Sequence, residues 1–134
     1  MIELLVVISI IAVLTTIAIS TFAGVQAKGR DARRRAEIDE IRKAMELYYV
    51  GGTSTPYLAP TGNMFSDGII PKDPKNISPH VYYFNGAAGL PGSGNFANYV
   101  ICAKLEAKGG NALDQNGTVD SSSNGDFYCK KNAQ

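Results

Sequence analysis

Residues 1–23 read MIELLVVISIIAVLTTIAISTFA, and this stretch decides how the rest of the chain is organised. From Leu4 to Ala23 its only polar side chains are the hydroxyls of Ser9, Thr15, Thr16, Ser20 and Thr21, each able to bond back to a helix carbonyl. Roughly 20 helical residues at about 1.5 Å of rise reach about 30 Å, the thickness of a bilayer's hydrocarbon core. The segment is therefore long enough to span a membrane. A secretory signal peptide is the main competing reading, but signal peptides start basic and have a shorter apolar core. Here the start is acidic and the run is longer, so the helix is expected to stay on the chain.

Glu3 sets this run apart from a plain anchor. A carboxylate in an apolar helix costs several kcal/mol unless it snorkels, protonates or meets a cation. The nearest cation further along the sequence is Lys28, about 37 Å away along a helix. The partner of Glu3 is thus expected to be the terminal amine, lipid or another copy of the chain. The bland alternative is a carboxylate resting at the headgroup level.

The second stretch, residues 24–50, opens on Gly24-Val25-Gln26-Ala27-Lys28-Gly29. Each of its glycines costs about 1 kcal/mol against Ala in a helix interior, so a bend or loosening is expected there. Periodicity then resumes. Ile38, Ile41, Met45 and Tyr48, flanked by Ala44 and Leu47, form one apolar stripe, and Arg33, Arg34, Glu37, Glu40, Arg42 and Lys43 are placed on the opposite face. One helix is predicted from Ile2 to Val50, ended by Gly51-Gly52. The basic residues Lys28, Arg30, Arg33, Arg34 and Arg35 are interleaved with Asp31, Glu37, Asp39, Glu40 and Glu46, with Arg33–Glu37 and Arg35–Asp39 four apart. That pattern reads as a solvated, salt-bridged face and makes nucleic acid an unlikely direct partner.

Residues 51–134 are left for a globular head. That length suits one small domain with a modest core, and 45% hydrophobic content with six prolines fits a folded module. A net charge of +1 names no partner. Residues 51–80 are loop-like, punctuated by Pro56, Pro60, Pro71, Pro74 and Pro79, although Tyr57, Leu58, Met64, Phe65, Ile69 and Ile70 must bury something. Three strands are predicted at residues 81–85, 97–105 and 126–130, the first two joined by a Gly-rich hairpin loop over residues 86–95. In the second strand Tyr99, Ile101, Ala103 and Leu105 share one face. The predicted fold class is α+β, with one long N-terminal helix packed by a small antiparallel sheet of three or four strands.

Cys102 and Cys129 are the only cysteines, and no metal-site spacing involves them. On an anchored chain with a polar, Gly-rich remainder they read as one disulfide formed outside the cytoplasm, closing a C-terminal loop. A pair of buried free thiols is the competing reading. No catalytic constellation is legible: His80 is the single imidazole, and no Gly-rich stretch follows a strand and opens a helix. The expectation is that the protein is not an enzyme.

The opening Met1-Ile2-Glu3-Leu4-Leu5-Val6-Val7-Ile8-Ser9-Ile10-Ile11-Ala12-Val13-Leu14 resembles the mature N-terminus of type IV pilins and of the related pseudopilins of type II secretion. In that family a prepilin peptidase cuts after a Gly, the new terminal residue is usually an N-methylated Phe, and the mature opening reads Phe-Thr-Leu-Ile-Glu-Leu. Aligned on the Glu, this sequence starts two residues late, and the expectation is a trimmed or mis-started sequence rather than a mature terminus at Met1. Ala12 stands where many members have Gly, and Ser20 where many have a helix-breaking Pro. The likeness covers about the first quarter of the chain, with a looser similarity beyond it. Pro71-Lys72-Asp73-Pro74-Lys75-Asn76 is also similar to the Asp-Pro turn that pseudopilins carry before their first strand.

The resemblance implies a pilus (fimbrium) subunit that waits in the bacterial inner membrane and then polymerises with its own kind into an extracellular helical filament. Prepilin peptidase and the pilus assembly machinery are the implied partners, and adhesion, twitching motility or DNA uptake the implied roles. Glu3 becomes the assembly residue, paired with a neighbour's terminal amine, and Leu4, Leu5, Val6, Val7, Ile8, Ile10, Ile11, Val13 and Leu14 the filament-core helix. The alternatives are a pseudopilin or minor pilin, or a single-pass anchored binding module. Some pseudopilins hold Ca²⁺ in a late loop, which makes Asp114, Asn116, Asp120 and Asp126, with Asn124, weak candidate ligands; their spacing does not match the twelve-residue Ca²⁺ loop. The main expectation is a solvated loop and no cofactor.

Overall fold

The computed structural model describes residues 2–133. One helix, α1 (Ile2–Leu47), runs unbroken through the glycines at 24 and 29. Nothing lies within 4 Å of a Cβ built at either glycine, so they are not required by close packing. The helix formers Ala23, Gln26, Ala27, Lys28 and Arg30 around them offset their local cost. Ser9, Thr15 and Thr16 donate to the carbonyls of Val6, Ile11 and Val13, each at 2.7 Å, as back-bonding hydroxyls should. The side chains of Ser20 and Thr21 lie outside the described part.

The helix stops three residues short of the predicted end at Val50. Tyr49 N–H donates to the Glu46 carbonyl and Val50 N–H to the Pro56 carbonyl, so the chain is already turning back before Gly51. The turn seats Tyr49 edge-on against Tyr57, with ring centroids 5.2 Å apart. As a result Leu47 is exposed and Tyr48 is 41% exposed, where the periodicity placed both on the buried stripe.

After α1 come β1 (Tyr57–Leu58), a single 3₁₀ turn (Gly62–Met64), β2 (Tyr82–Phe84), β3 (Ala87–Ala88), β4 (Asn95–Phe96), β5 (Val100–Lys104) and β6 (Phe127–Lys131). The fold is α+β. Strands β3-β2-β5-β6 form a four-stranded antiparallel sheet, and β1 pairs with β4 in a separate two-stranded one. The predicted loop over residues 86–95 thus contains β3 and the first residue of β4. Asn85 and Gly86 both have positive φ (46° and 81°) and join β2 to β3 as a two-residue hairpin, for which Asn-Gly is the strongest short-range sequence signal.

The main core lies between α1 and the sheet. Ile38, Ile41 and Met45 meet Tyr82, Phe84, Tyr99, Ile101 and Ala103, with Tyr57 and Phe65 closing the end. The shared face predicted for Tyr99, Ile101, Ala103 and Leu105 is buried throughout. Ile69, expected to bury, stays 63% exposed. The opposite face of the sheet carries a second cluster, Cys102, Phe127 and Cys129, covered by Ala112.

Candidate functional site

The two halves of α1 have opposite surroundings. Every described side chain from Ile2 to Gln26 is exposed, and an 18-residue window with mean hydropathy 2.7 has none of its residues buried. Leu4, Leu5, Val6, Val7, Ile8, Ile10, Ile11, Val13 and Leu14 are between 53% and 72% exposed, and so find no cover within their own chain. By length and composition this helix can cross a membrane. Glu3 lies in its first turn, and the terminal amine proposed as its partner lies outside the described residues.

From residue 30 onward the helix is fastened to the head. Its largest fully buried side chain is Arg34, 0% exposed, although periodicity set it on the solvent face. Arg34 continues the row Ile38, Ile41, Met45 by one helical turn, and a charge can sit in that row because partners arrive from elsewhere in the chain. Its Nε and Nη2 donate to Asp73 at 2.6 and 3.0 Å, and its Nη1 donates to Asp31 at 2.7 Å and to Glu106 at 2.8 Å. Glu106 also accepts from Arg30 at 2.7 and 2.6 Å and pairs with Lys75 at 2.9 Å. Asp31 in turn accepts the backbone N–H groups of Glu106 and Ala107.

Three cations and three carboxylates therefore make a neutral cluster. It ties α1, the Asp73-Pro74 turn and the segment after β5 at one point. Burial works to lower the Arg34 pKa, and its bonds to Asp73, Glu106 and Asp31 more than reverse this, so the guanidinium stays charged. The hydrogen bond from Arg30, against burial and with help from Lys75 and Arg34, holds Glu106 well below the usual carboxylate range.

Beyond this point the charged residues of α1 again turn to the sheet. Tyr82 donates its hydroxyl to Glu37 in a short bond, Tyr99 donates to Glu46 at 2.7 Å and Tyr128 donates to Asp39 at 3.2 Å. Burial first, and the adjoining carboxylate second, push the Tyr82 and Tyr99 hydroxyls well above the ordinary tyrosine range. Of the two pairs expected four residues apart, Arg33–Glu37 forms at 2.6 Å. Arg35 instead donates to the Gly109 carbonyl and lies 5.7 Å from the Tyr128 ring centre, while Asp39 faces Lys130 at 3.5 Å. The expected solvated face is thus in large part a polar seam between helix and sheet.

Cys102 and Cys129 are joined by a disulfide, directly opposite each other on β5 and β6 with Cα atoms 4.1 Å apart. That spacing is near the close approach of a non-hydrogen-bonded antiparallel pair. The loop they close is not a plain solvated one. Asn111 behaves as an extra strand residue, donating to the Cys129 carbonyl at 2.9 Å and accepting its N–H at 2.7 Å. Gly110 and Gly125 let backbones touch: a Cβ at Gly110 would lie 2.0 Å from the Phe127 carbonyl oxygen.

The candidate Ca²⁺ ligands are occupied locally. Asp114 accepts from Asn116 N–H, Thr118 N–H and the Thr118 hydroxyl, and Asp120 accepts from Ser122 and Asn124. Asp126 is exposed. Among the described residues no three His, Cys, Asp or Glu side chains gather closely enough to hold a metal ion.

Comparison of the chain with protein-family models, with curated proteins and with solved structures found no match. The functional reading therefore stands on the halved helix and on how its second half is held. Sequence reasoning missed Asp73 and Glu106 as partners of the helix. The one signal available was Arg34 itself, which falls on the buried spacing with Asp31 three residues before it.

Proposed function

We propose that the protein is the structural subunit of a type IV pilus-like filament, held in a membrane by the first half of α1 until it assembles. One observation carries the reading: Ile2–Leu47 is a single helix whose second half is locked to a folded head while its first half, residues 2–26, exposes every described side chain, most of them apolar. A surface of that kind needs lipid or other helices around it. Lipid and neighbouring helices are equally apolar, so hydrophobicity gives little direction to the transfer between them.

Glu3 supplies direction in this scheme. A buried carboxylate left without a partner costs about 3–5 kcal/mol, which favours the register in which it meets a neighbour's terminal amine. Contacts of this type repeat head to tail, and a repeat that does not close generates a helical fibre. The head, with its neutral ion cluster and disulfide, forms the outer surface of that fibre.

The test is Glu3→Ala in the producing cell, followed by electron microscopy and membrane fractionation. Membrane insertion is expected to persist while filaments disappear or become rare, and Glu3→Asp is expected to restore part of the wild-type number. Filaments of normal abundance from the Ala variant would refute the mechanism.

A further inference from the structure

Where α1 leaves its apolar half, a cleft of about 350 Å³ opens between the helix and the segment after β5, lined by Lys28, Asp31, Ala32, Arg35, Ala107 and Lys108. The charges around it do not cancel. Asp31 is committed to Arg34 and to two backbone N–H groups, and the cluster it belongs to is neutral by itself. Lys28, Arg35 and Lys108 are left as a surplus. Among the described residues neither Lys28 nor Lys108 takes part in an ion pair, although Lys108 adds slightly to the lowering of the Asp120 pKa that the hydrogen bonds from Ser122 chiefly cause. Arg35 spends one N–H on the Gly109 carbonyl, and its Nε, shut away from solvent, has no acceptor. Lys108 also borders the neighbouring cleft, whose lining sets Lys75 against Glu106 and Lys104 against Asp126, so the surplus is local to the cleft beside α1.

The position of the cleft selects its ligand. Val25 is the last large apolar residue of the exposed half, and Lys28 lies about 5 Å further along the axis, the depth at which lipid phosphates sit beyond the hydrocarbon core. Arginine and lysine side chains on a helix lean back toward its N-terminus, which aims Lys28 and Arg35 toward that layer. We infer that this cleft binds the phosphate of an anionic phospholipid headgroup, seating the head on the membrane surface. The inference rests on the first half of α1 being a membrane span.

The test reconstitutes the full chain into vesicles of phosphatidylcholine alone or with phosphatidylglycerol, and reads the rate of amine labelling of each lysine by mass spectrometry. Lys28 and Lys108 are expected to label about fivefold more slowly in the phosphatidylglycerol vesicles, the factor for a basic residue held at an anionic surface. Lys43, on the same helix but about 22 Å from Lys28, is expected to label alike in both. The double variant Arg35→Gln, Lys108→Gln is expected to return Lys28 to its rate in phosphatidylcholine. Glycerophosphate added to the detergent-solubilised protein is expected to protect neither lysine; protection by it equal to that in phosphatidylglycerol would overturn a lipid as the ligand. Equal labelling in the two vesicles, or a Lys28 unaffected by the double variant, would overturn the headgroup site while leaving the span intact. A chain that floats with neither vesicle would remove the span and the site together.

Discussion

The two halves of α1 share one unbroken helix and differ in nearly everything else. The first half is the most apolar stretch of the chain and the least covered: Ile11 is 57% exposed. The second half is rich in charge, yet Arg34 there is as buried as Ile41, both at 0%. Hydropathy within a single chain therefore does not report burial within that chain. The first half finds no cover among the described residues, whereas the second half buries several of its charges by pairing them with groups from the head.

The largest effect expected from breaking this contrast comes from removing residues 1–24. The remaining protein should be a soluble monomer with the sheet and the residue 28–47 helix intact, because the bonds and packing that fasten α1 to the head begin at Arg30. Circular dichroism and analytical ultracentrifugation check this, and an insoluble or unfolded product would show the boundary to be wrongly drawn.

Next in size is Arg34→Ala. It leaves Asp73 buried and unpaired and removes one partner each from Asp31 and Glu106, at an expected cost of about 3–5 kcal/mol, measured by denaturant unfolding of the residue 25–134 fragment. A comparable loss is expected from Ile41→Ala, about 2–5 kcal/mol for a buried Ile. The matched change Ile11→Ala in the full chain should leave head stability within about 0.5 kcal/mol of wild type, as surface substitutions do. Equal losses from the two isoleucines would erase the distinction between the halves.

The smallest effect is on pH dependence. Glu106 has a lowered pKa in the folded state, so the unfolded chain takes up its proton first and the stabilisation is complete only above the ordinary glutamate pKa. It declines as pH falls below that value toward the depressed folded one. Thermal melts of wild type against Glu106→Gln, from neutral to strongly acidic pH, should converge as the medium is acidified. A constant gap across that range would mean that the Glu106 charge does not contribute.

Much of the architecture was legible because it rests on local pattern. The helix, expected to Val50 and ending at Leu47, follows from an apolar run joined to a 38-41-45 spacing, and β5 from a β-branched and aromatic cluster around Cys102. Strands of two residues such as β1 and β4 carry no period at all and owe their existence to each other, Tyr57 facing Phe96 and Leu58 facing Asn95. The apolar half of the candidate site was readable from composition alone. Its anchoring was not, since the head's two partners of Arg34 lie 39 and 72 residues away. An arginine at a core spacing looks like a surface residue until its carboxylates are found. The same holds for Asn111, whose side chain substitutes for a strand's backbone only because the 108–125 loop folds onto β6.

The covalent link between Cys102 and Cys129 encloses that loop in a ring of its own chain. A protease that nicks the exposed tip around Ser121, Ser122 and Ser123 opens the ring but releases nothing. The severed C-terminal piece still carries β6, remains bonded to β5 through sulfur, and keeps its ladder from Phe127 to Lys131. Such a nicked head would migrate as one band on a non-reducing gel and as two after reduction, so cleavage at this site can go unnoticed until the thiols are freed.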